Sequence, residues 1–143
     1  MSTASPPFFP GIASLALIAV FASACGDEGP LMRPGENCLS CHNRGGKSFT
    51  VAGTVFPSAT ADPGAGTTGA EVVLTDARGT VVRLPTNAVG NFYSKQALTF
   101  PLTAELHHGT TVLRMSQPVT SGGCATCHSN PASQGAPGRL YVP

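Results

Sequence analysis

The sequence predicts a mainly β protein, built as an antiparallel β-sandwich of about six to seven short strands. Between residues 49 and 116, short runs rich in β-branched and aromatic residues alternate with turn-forming segments. After Cys25, no segment of ten or more residues shows helical periodicity. Glycine and proline contribute 17 and 13 of the 143 residues, which is typical of a chain rich in turns. Short strands at regular spacing therefore favour a sandwich.

Six segments have the composition of strands. They are residues 49–56, 70–75, 80–84, 91–94, 101–108 and 110–116. A loop of small and polar residues, 57–69, separates the first two segments, and Gly109 marks the turn of the last hairpin. If the strands alternate in direction, the first strand starts at the end of the sheet where the sixth strand finishes. The segments that flank the sandwich should therefore meet at that end.

The order of these segments, with GAEVVLTDARGTVVRLPTNAVGNFYS at its centre, resembles carboxypeptidase-regulatory-like, transthyretin-type sandwiches. The resemblance covers roughly residues 51–115. In that family the positions matched by Asn87, Gly90 and Phe92 mark a tight turn and an inward aromatic. Such modules serve as spacers or binding scaffolds, so the resemblance implies a fold and not a function.

The N-terminal segment has the pattern of an export signal. Residues 1–24 carry no charged side chain, and the apolar run 12–22 is too short to span a bilayer well. The run leads into the residues ASAC, which end at Cys25 and resemble a bacterial lipoprotein signal. The resemblance implies cleavage after residue 24, lipidation of Cys25 and, because Gly26 follows it, a place in the outer membrane on its periplasmic or surface side. An ordinary secretory signal is the alternative.

Two five-residue motifs contain the cysteines and histidines that are the candidate cofactor-binding residues of the chain. CLSCH at residues 38–42 and CATCH at residues 124–128 both have the CxxCH spacing of covalent haem c attachment. Two thiols separated by two residues can reach the two vinyl groups of one porphyrin, and the histidine that follows can bind the iron. The alternatives for paired CxxC motifs are a zinc site or disulfides. The gap from Cys41 to Cys124 is long for a compact zinc site, and neither alternative explains both histidines.

With this doubled motif behind a lipoprotein-like leader, the sequence resembles small multihaem c-type cytochrome lipoproteins. The resemblance implies two haem c groups, held covalently by Cys38, Cys41, Cys124 and Cys127. It implies His42 and His128 as the proximal iron ligands. It further implies electron transfer to redox partner proteins such as other cytochromes, with the membrane reached through the lipid anchor.

The resulting domain plan has three parts: a signal peptide (1–24), a tether (25–37) and a single diheme domain (38–143) whose sandwich covers about 49–116. A net charge of +1 without a basic run gives no reason to expect a nucleic-acid partner. Nothing resembles a catalytic triad, a carboxylate pair or a phosphate loop. The sequence therefore predicts an electron carrier and not an enzyme. A haem enzyme with an open coordination site and a non-redox surface-binding module clamped by zinc or disulfides are the alternatives.

The distal iron ligands are left open by the sequence. Simple counting favours His107 and His108, the two remaining histidines. The alternation of strands places them in the turn of the last hairpin, roughly 20 Å from the haem motifs. Met115 finishes the sixth strand on the haem side and is the candidate we favour for the second haem, although packing beside Leu113 would also explain it. Met32 is a further candidate, and the first haem is unassigned.

Overall fold

The structure is a computed structural model, which describes Met1, Cys25, Gly29 and residues 31–143. The predicted signal peptide, apart from Met1, lies outside the described residues. The described chain is mainly β, with six antiparallel strands in two sheets and only three-residue 3₁₀ turns in place of helices. The strands are β1 (Val51–Thr54), β2 (Glu71–Thr75), β3 (Val81–Pro85), β4 (Asn91–Ser94), β5 (Thr103–His108) and β6 (Thr111–Arg114). The six predicted strands are therefore confirmed. No helix in the described part of the chain has the length and apolar character needed to cross a bilayer.

The six strands form a four-stranded sheet in the order β3-β2-β5-β6 and a two-stranded sheet of β1 and β4. Every strand pairing is antiparallel. The loop 57–69 thus leads from the two-stranded sheet into the four-stranded sheet. β3 shows the two-residue alternation of a half-buried strand, because Val82 and Leu84 are buried while Val81 and Arg83 are exposed. The exposed side chains mark the solvent face of this sheet.

The hydrophobic core combines residues from both sheets and from the C-terminal segment. Its buried members are Val51, Val55, Ala70, Val72, Leu74, Val82, Leu84, Phe92, Leu102, Leu106 and Val142. The turn expected at Asn87 and Gly90 is present: the Asn87 Oδ1 atom accepts hydrogen bonds from the Val89 and Asn91 N–H groups, each at 3.0 Å. Phe92, just after the turn, is buried in the core, as expected for an inward aromatic.

The C-terminal segment covers the free edge of β1 and brings the second CxxCH motif against it. The Ala52 N–H donates to the Gly122 carbonyl at 2.9 Å, and parallel bridges join Ala52 to Gly123 and Phe56 to Tyr141. A Cβ at Gly122 would lie 1.8 Å from the Thr50 carbonyl oxygen, so this close approach requires glycine. All four residues of β1 are buried as a result.

Candidate functional site

The two CxxCH motifs fold into the same turn. Each begins with a three-residue 3₁₀ turn, Cys38–Ser40 in the first motif and Cys124–Thr126 in the second. In both motifs the N–H of the second cysteine donates to the carbonyl of the first cysteine at 3.3 Å. The N–H of the histidine donates to the same carbonyl at 2.9 Å in both. Each motif therefore gathers its two cysteines and its histidine around one turn.

The two turns are neighbours, although they lie at opposite ends of the β domain in sequence. Asn37 caps the first turn by accepting a hydrogen bond from the Leu39 N–H at 3.2 Å, and its Nδ2 atom donates to the Thr126 hydroxyl in the second turn at 3.4 Å. β1 contacts both turns. A Cβ at Gly53 of this strand would lie 2.9 Å from the Cys124 Cβ, so the glycine admits the second turn closely. The flanking motifs therefore meet, as expected, but they do so beside the free edge of β1 and not at the end of a sheet.

Both motif histidines are held by backbone carbonyls through the same ring nitrogen. The Nδ1 atom of His42 lies 2.8 Å from the Lys47 carbonyl oxygen, and that of His128 lies 3.2 Å from the Gly138 carbonyl oxygen. A carbonyl only accepts, so Nδ1 carries the proton in each hydrogen bond, and in the neutral imidazole Nε2 then has the free lone pair. Histidines that bind metals are commonly oriented by such a bond. Sequence analysis missed both acceptors, because any residue supplies a backbone carbonyl and no side-chain type marks one.

An aromatic stack adjoins the first motif. The His42 ring stacks on Phe49 with 4.2 Å between centroids and 14° between planes, and Phe49 stacks on Tyr93 at 4.5 Å and 19°. The Lys95 ammonium lies 5.8 Å from the centre of the Phe49 ring. Tyr93 is 53% exposed, so the stack runs from the histidine to the protein surface. The stack and the Lys47 carbonyl together fix the plane of the His42 ring.

The first motif borders a small cavity of about 130 Å³, which Cys38, Cys41, His42 and Met32 line. Met32 belongs to the expected tether, but residues 32–37 contact the two-stranded sheet of β1 and β4. The Asn91 side chain donates to the Met32 carbonyl, and the Gly35 N–H donates to the Thr54 hydroxyl at 2.9 Å. The structure thus places a methionine beside the first motif.

The second motif borders a larger cavity of about 580 Å³, within the range of about 300–1,000 Å³ that is common for cofactor sites. Cys124, Cys127, His128 and Met115 all line it. Met115 is 39% exposed, so it does not pack in the core as its alternative interpretation supposed. Each CxxCH motif therefore shares a cavity with a methionine.

The remaining histidines lie elsewhere. His107 and His108 are the last residues of β5 and not part of the hairpin turn, which corrects the expected placement because the strand pairing continues through His108 to Thr111. The Nε2 atom of His107 lies 2.8 Å from a carboxylate oxygen of Glu105. Neither histidine is among the described residues that line either cavity.

The cysteines are present in two states. A disulfide joins Cys25 to Cys41, with 5.6 Å between Cα atoms, while Cys38, Cys124 and Cys127 are free thiols. The sequence did not predict this pairing, because Cys25 was expected to carry a lipid and Cys41 a haem. One sulfur cannot form a disulfide and a thioether together, so the disulfide and these modifications are alternative states. Within the described part of the chain, no three His, Cys, Asp or Glu side chains come together as metal ligands.

Burial suppresses ionisation of the second motif's first cysteine. Burial, with the nearby Cys38 thiol, raises the pKa of Cys124 to about 12 from an ordinary 9.0. Burial also raises the pKa of Cys38. The reactive thiolate of Cys124 is then about a thousandfold scarcer near neutral pH than in the unfolded chain.

We therefore expect Cys124 in the folded, haem-free and reduced protein to be alkylated by iodoacetamide far more slowly than in urea, measured by mass spectrometry of its peptide. Because the folded state favours the protonated thiol, the raised pKa of Cys124 adds to the free energy of unfolding below pH 9.0. We expect this contribution to be lost as the pH rises towards 12. The Cys124→Ala variant should lose less stability over this interval. Equal labelling rates with and without urea would contradict the burial of this thiol.

No protein-family model, curated protein or solved structure matches this chain. The functional assignment therefore rests on the residues of the site and on their geometry.

Proposed function

We propose that this protein is an electron carrier with two covalently bound c-type haems, one at residues 38–42 and one at residues 124–128. The single observation that carries the proposal is the repeated geometry of the two motifs. In each, two cysteines and a histidine surround one turn, and a backbone carbonyl holds Nδ1 so that Nε2 is available as an iron ligand. The haem iron, when bound, supplies one-electron redox chemistry.

The residues of the chain have separate roles in this proposal. The thiols of Cys38 and Cys41 hold the first haem, and those of Cys124 and Cys127 hold the second. His42 and His128 bind the irons through Nε2. The large cavity beside the second motif offers space for a bound group next to Cys124, Cys127 and His128, which supports its use as a haem site.

We propose the transthyretin-type sandwich as the frame that sets the distance between the two redox centres. The two sheets share one core, and β1 contacts both motif turns. The hydrogen bond from Asn37 to Thr126 joins the turns directly. Two haems attached at neighbouring turns would exchange electrons readily, and the protein would pass electrons between redox partners without converting a substrate.

The test is the visible spectrum of mature protein made in a host with periplasmic haem c assembly. We expect a red protein that stains for haem on a denaturing gel and gives a c-type pyridine haemochrome spectrum. A colourless product that contains stoichiometric zinc would instead support the surface-binding module. A product with intact disulfides and neither group would support that module in its disulfide form.

We further propose that the protein is an exported lipoprotein anchored through Cys25. Lipidation would use the sulfur that otherwise pairs with Cys41, so it would also release Cys41 for haem attachment. We expect the native chain to partition into detergent and Cys25→Ser to remain in the aqueous phase or to stay unprocessed. The variant should keep both CxxCH motifs competent for haem, which serves as its control. Unchanged processing and partitioning would leave an ordinary secretory signal.

A further inference from the structure

Arg139 is the one buried basic side chain in the part of the chain that the structure describes. It is 6% exposed, and its Nε atom is buried with no hydrogen-bond partner. No carboxylate of the described residues forms an ion pair with it. A buried guanidinium N–H without a partner is unfavourable, since burial removes its water and no hydrogen bond replaces it.

The surroundings hold this side chain in one place. The guanidinium lies over the Phe56 ring, with 4.4 Å from Cζ to the ring centroid. On another side it occupies the space above Gly35, where a Cβ would lie 2.2 Å from one of its terminal nitrogens. The Arg139 N–H donates to the Ala59 carbonyl at 3.1 Å, which fixes the backbone. The cation is therefore prearranged and not a mobile surface charge.

Arg139 is also tied to the second motif. It lines the same cavity as Cys127 and His128. Its neighbour Gly138 supplies the carbonyl that holds the His128 ring. One short segment thus places a buried cation at the wall of the cavity and orients the histidine beside it.

We propose that Arg139 binds a carboxylate of the haem attached at residues 124–128, an inference that rests on the proposed function. Haem carries two carboxylate side chains. The other arginine that lines the cavity, Arg114, is 75% exposed and pairs with Glu105, so Arg139 is the buried cation that remains for such a carboxylate. The planar fork of the guanidinium matches the two oxygens of a carboxylate. Arg139 is in this way a binding residue for the haem that forms no bond to the iron.

The consequence is a redox potential that is insensitive to pH. Paired with Arg139, the carboxylate stays ionised in both oxidation states of the iron. Without the guanidinium, the carboxyl group would take up a proton more easily, above all when the iron is reduced, and the potential would fall as pH rises.

The other ionisable side chains that line the cavity are those of Glu105, Arg114, Tyr141 and the second motif. The hydrogen bond from His107, with the charge of Arg114, holds the pKa of Glu105 below its usual range, so Glu105 stays ionised. In the loaded protein the thiols and His128 are committed to the haem. A new pH dependence at neutral pH would therefore belong to the haem carboxylate.

The first experiment measures both midpoint potentials of the haem-loaded protein from weakly acidic to weakly alkaline pH. We expect Arg139→Met to make one potential pH-dependent, Arg139→Lys to restore most of the flat profile, and the control Arg83→Met to match the unchanged protein. Arg83 is exposed and pairs with Glu71 on β2. Flat profiles in all four proteins would overturn the inference and leave the haem assignment intact. A protein without covalent haem would overturn the proposed function itself.

The second experiment separates a haem carboxylate from a free anion and does not depend on electron transfer. The full-length Cys124→Ala, Cys127→Ala variant keeps His128 and is titrated with haemin and with haemin dimethyl ester. We expect about ten- to hundredfold tighter binding of the free acid, and loss of this preference with Arg139→Met. Equal binding of the two compounds, together with stabilisation by inorganic phosphate that requires Arg139, would show a free-anion site and overturn the inference.

Discussion

The double change Cys124→Ala with Cys127→Ala is expected to remove one of two covalent haems and leave the other in place. In the proposed arrangement each haem is held by its own pair of thiols, and the two motif turns are formed by separate hydrogen bonds. Without both thioethers the second haem would be lost on denaturation, while the first would remain. The measurement is haem per chain, from the pyridine haemochrome spectrum and from the intact mass of the denatured protein.

The matched control is the same double change at Cys38 and Cys41, which should also leave half the haem. Cys25→Ser should keep the full amount, because Cys25 belongs to neither motif. Unchanged haem content in either double variant would contradict attachment at that motif. Loss of all haem in both would show that the two motifs hold a single group between them.

Met115→Ala is expected to alter one haem and not the other. Met115 lines the cavity of the second motif, so we expect it to bind the iron of the proposed second haem. Thioether ligation favours reduced iron, and its loss should lower one of the two midpoint potentials. It should also remove any sulfur-to-iron absorption near the red edge of the spectrum and give high-spin character at one haem. The half-exposed position of Met115 limits the cost to folding.

The controls are His107→Ala and His108→Ala, which should leave both haem spectra intact. Both histidines end β5, and His107 is engaged by Glu105. Loss of low-spin character in either histidine variant, with Met115→Ala silent, would show that counting histidines was right and that the argument from geometry was wrong. High-spin character in the unchanged protein would favour the enzyme with an open coordination site.

The strands were predictable because their signals are local. The alternation in β3 and the turn before β4 specify those strands without knowledge of their partners. The first strand is shorter than predicted, 51–54 in place of 49–56. Phe49 stacks on His42 instead of joining the sheet, and Phe56 bridges to Tyr141. Both outcomes depend on contacts with distant parts of the chain, which composition does not encode.

The candidate site likewise combines features that the sequence predicts with features that depend on distant contacts. The CxxCH motifs were evident because their chemistry needs a fixed spacing along the chain. The role of the Gly138 carbonyl and the burial of Arg139 arise only when the C-terminal segment returns to the sheet. The pairing of Cys25 with Cys41 likewise joins residues that are 16 positions apart in the sequence. Spacing along the sequence predicts ligands, whereas the groups that orient them are found only in three dimensions.

The return of the C-terminal segment to β1 also sets an order of events for the newly made chain. Val51 and Val142 belong to one core, although they come from opposite ends of the β domain. Contacts this distant form late in folding, so the core closes only after the second motif has emerged. Until then the second motif has no contact with β1, and the Cys124 thiol ionises normally. For the proposed haem at this motif, the reactive thiolate of Cys124 is therefore more abundant before the core closes than afterwards.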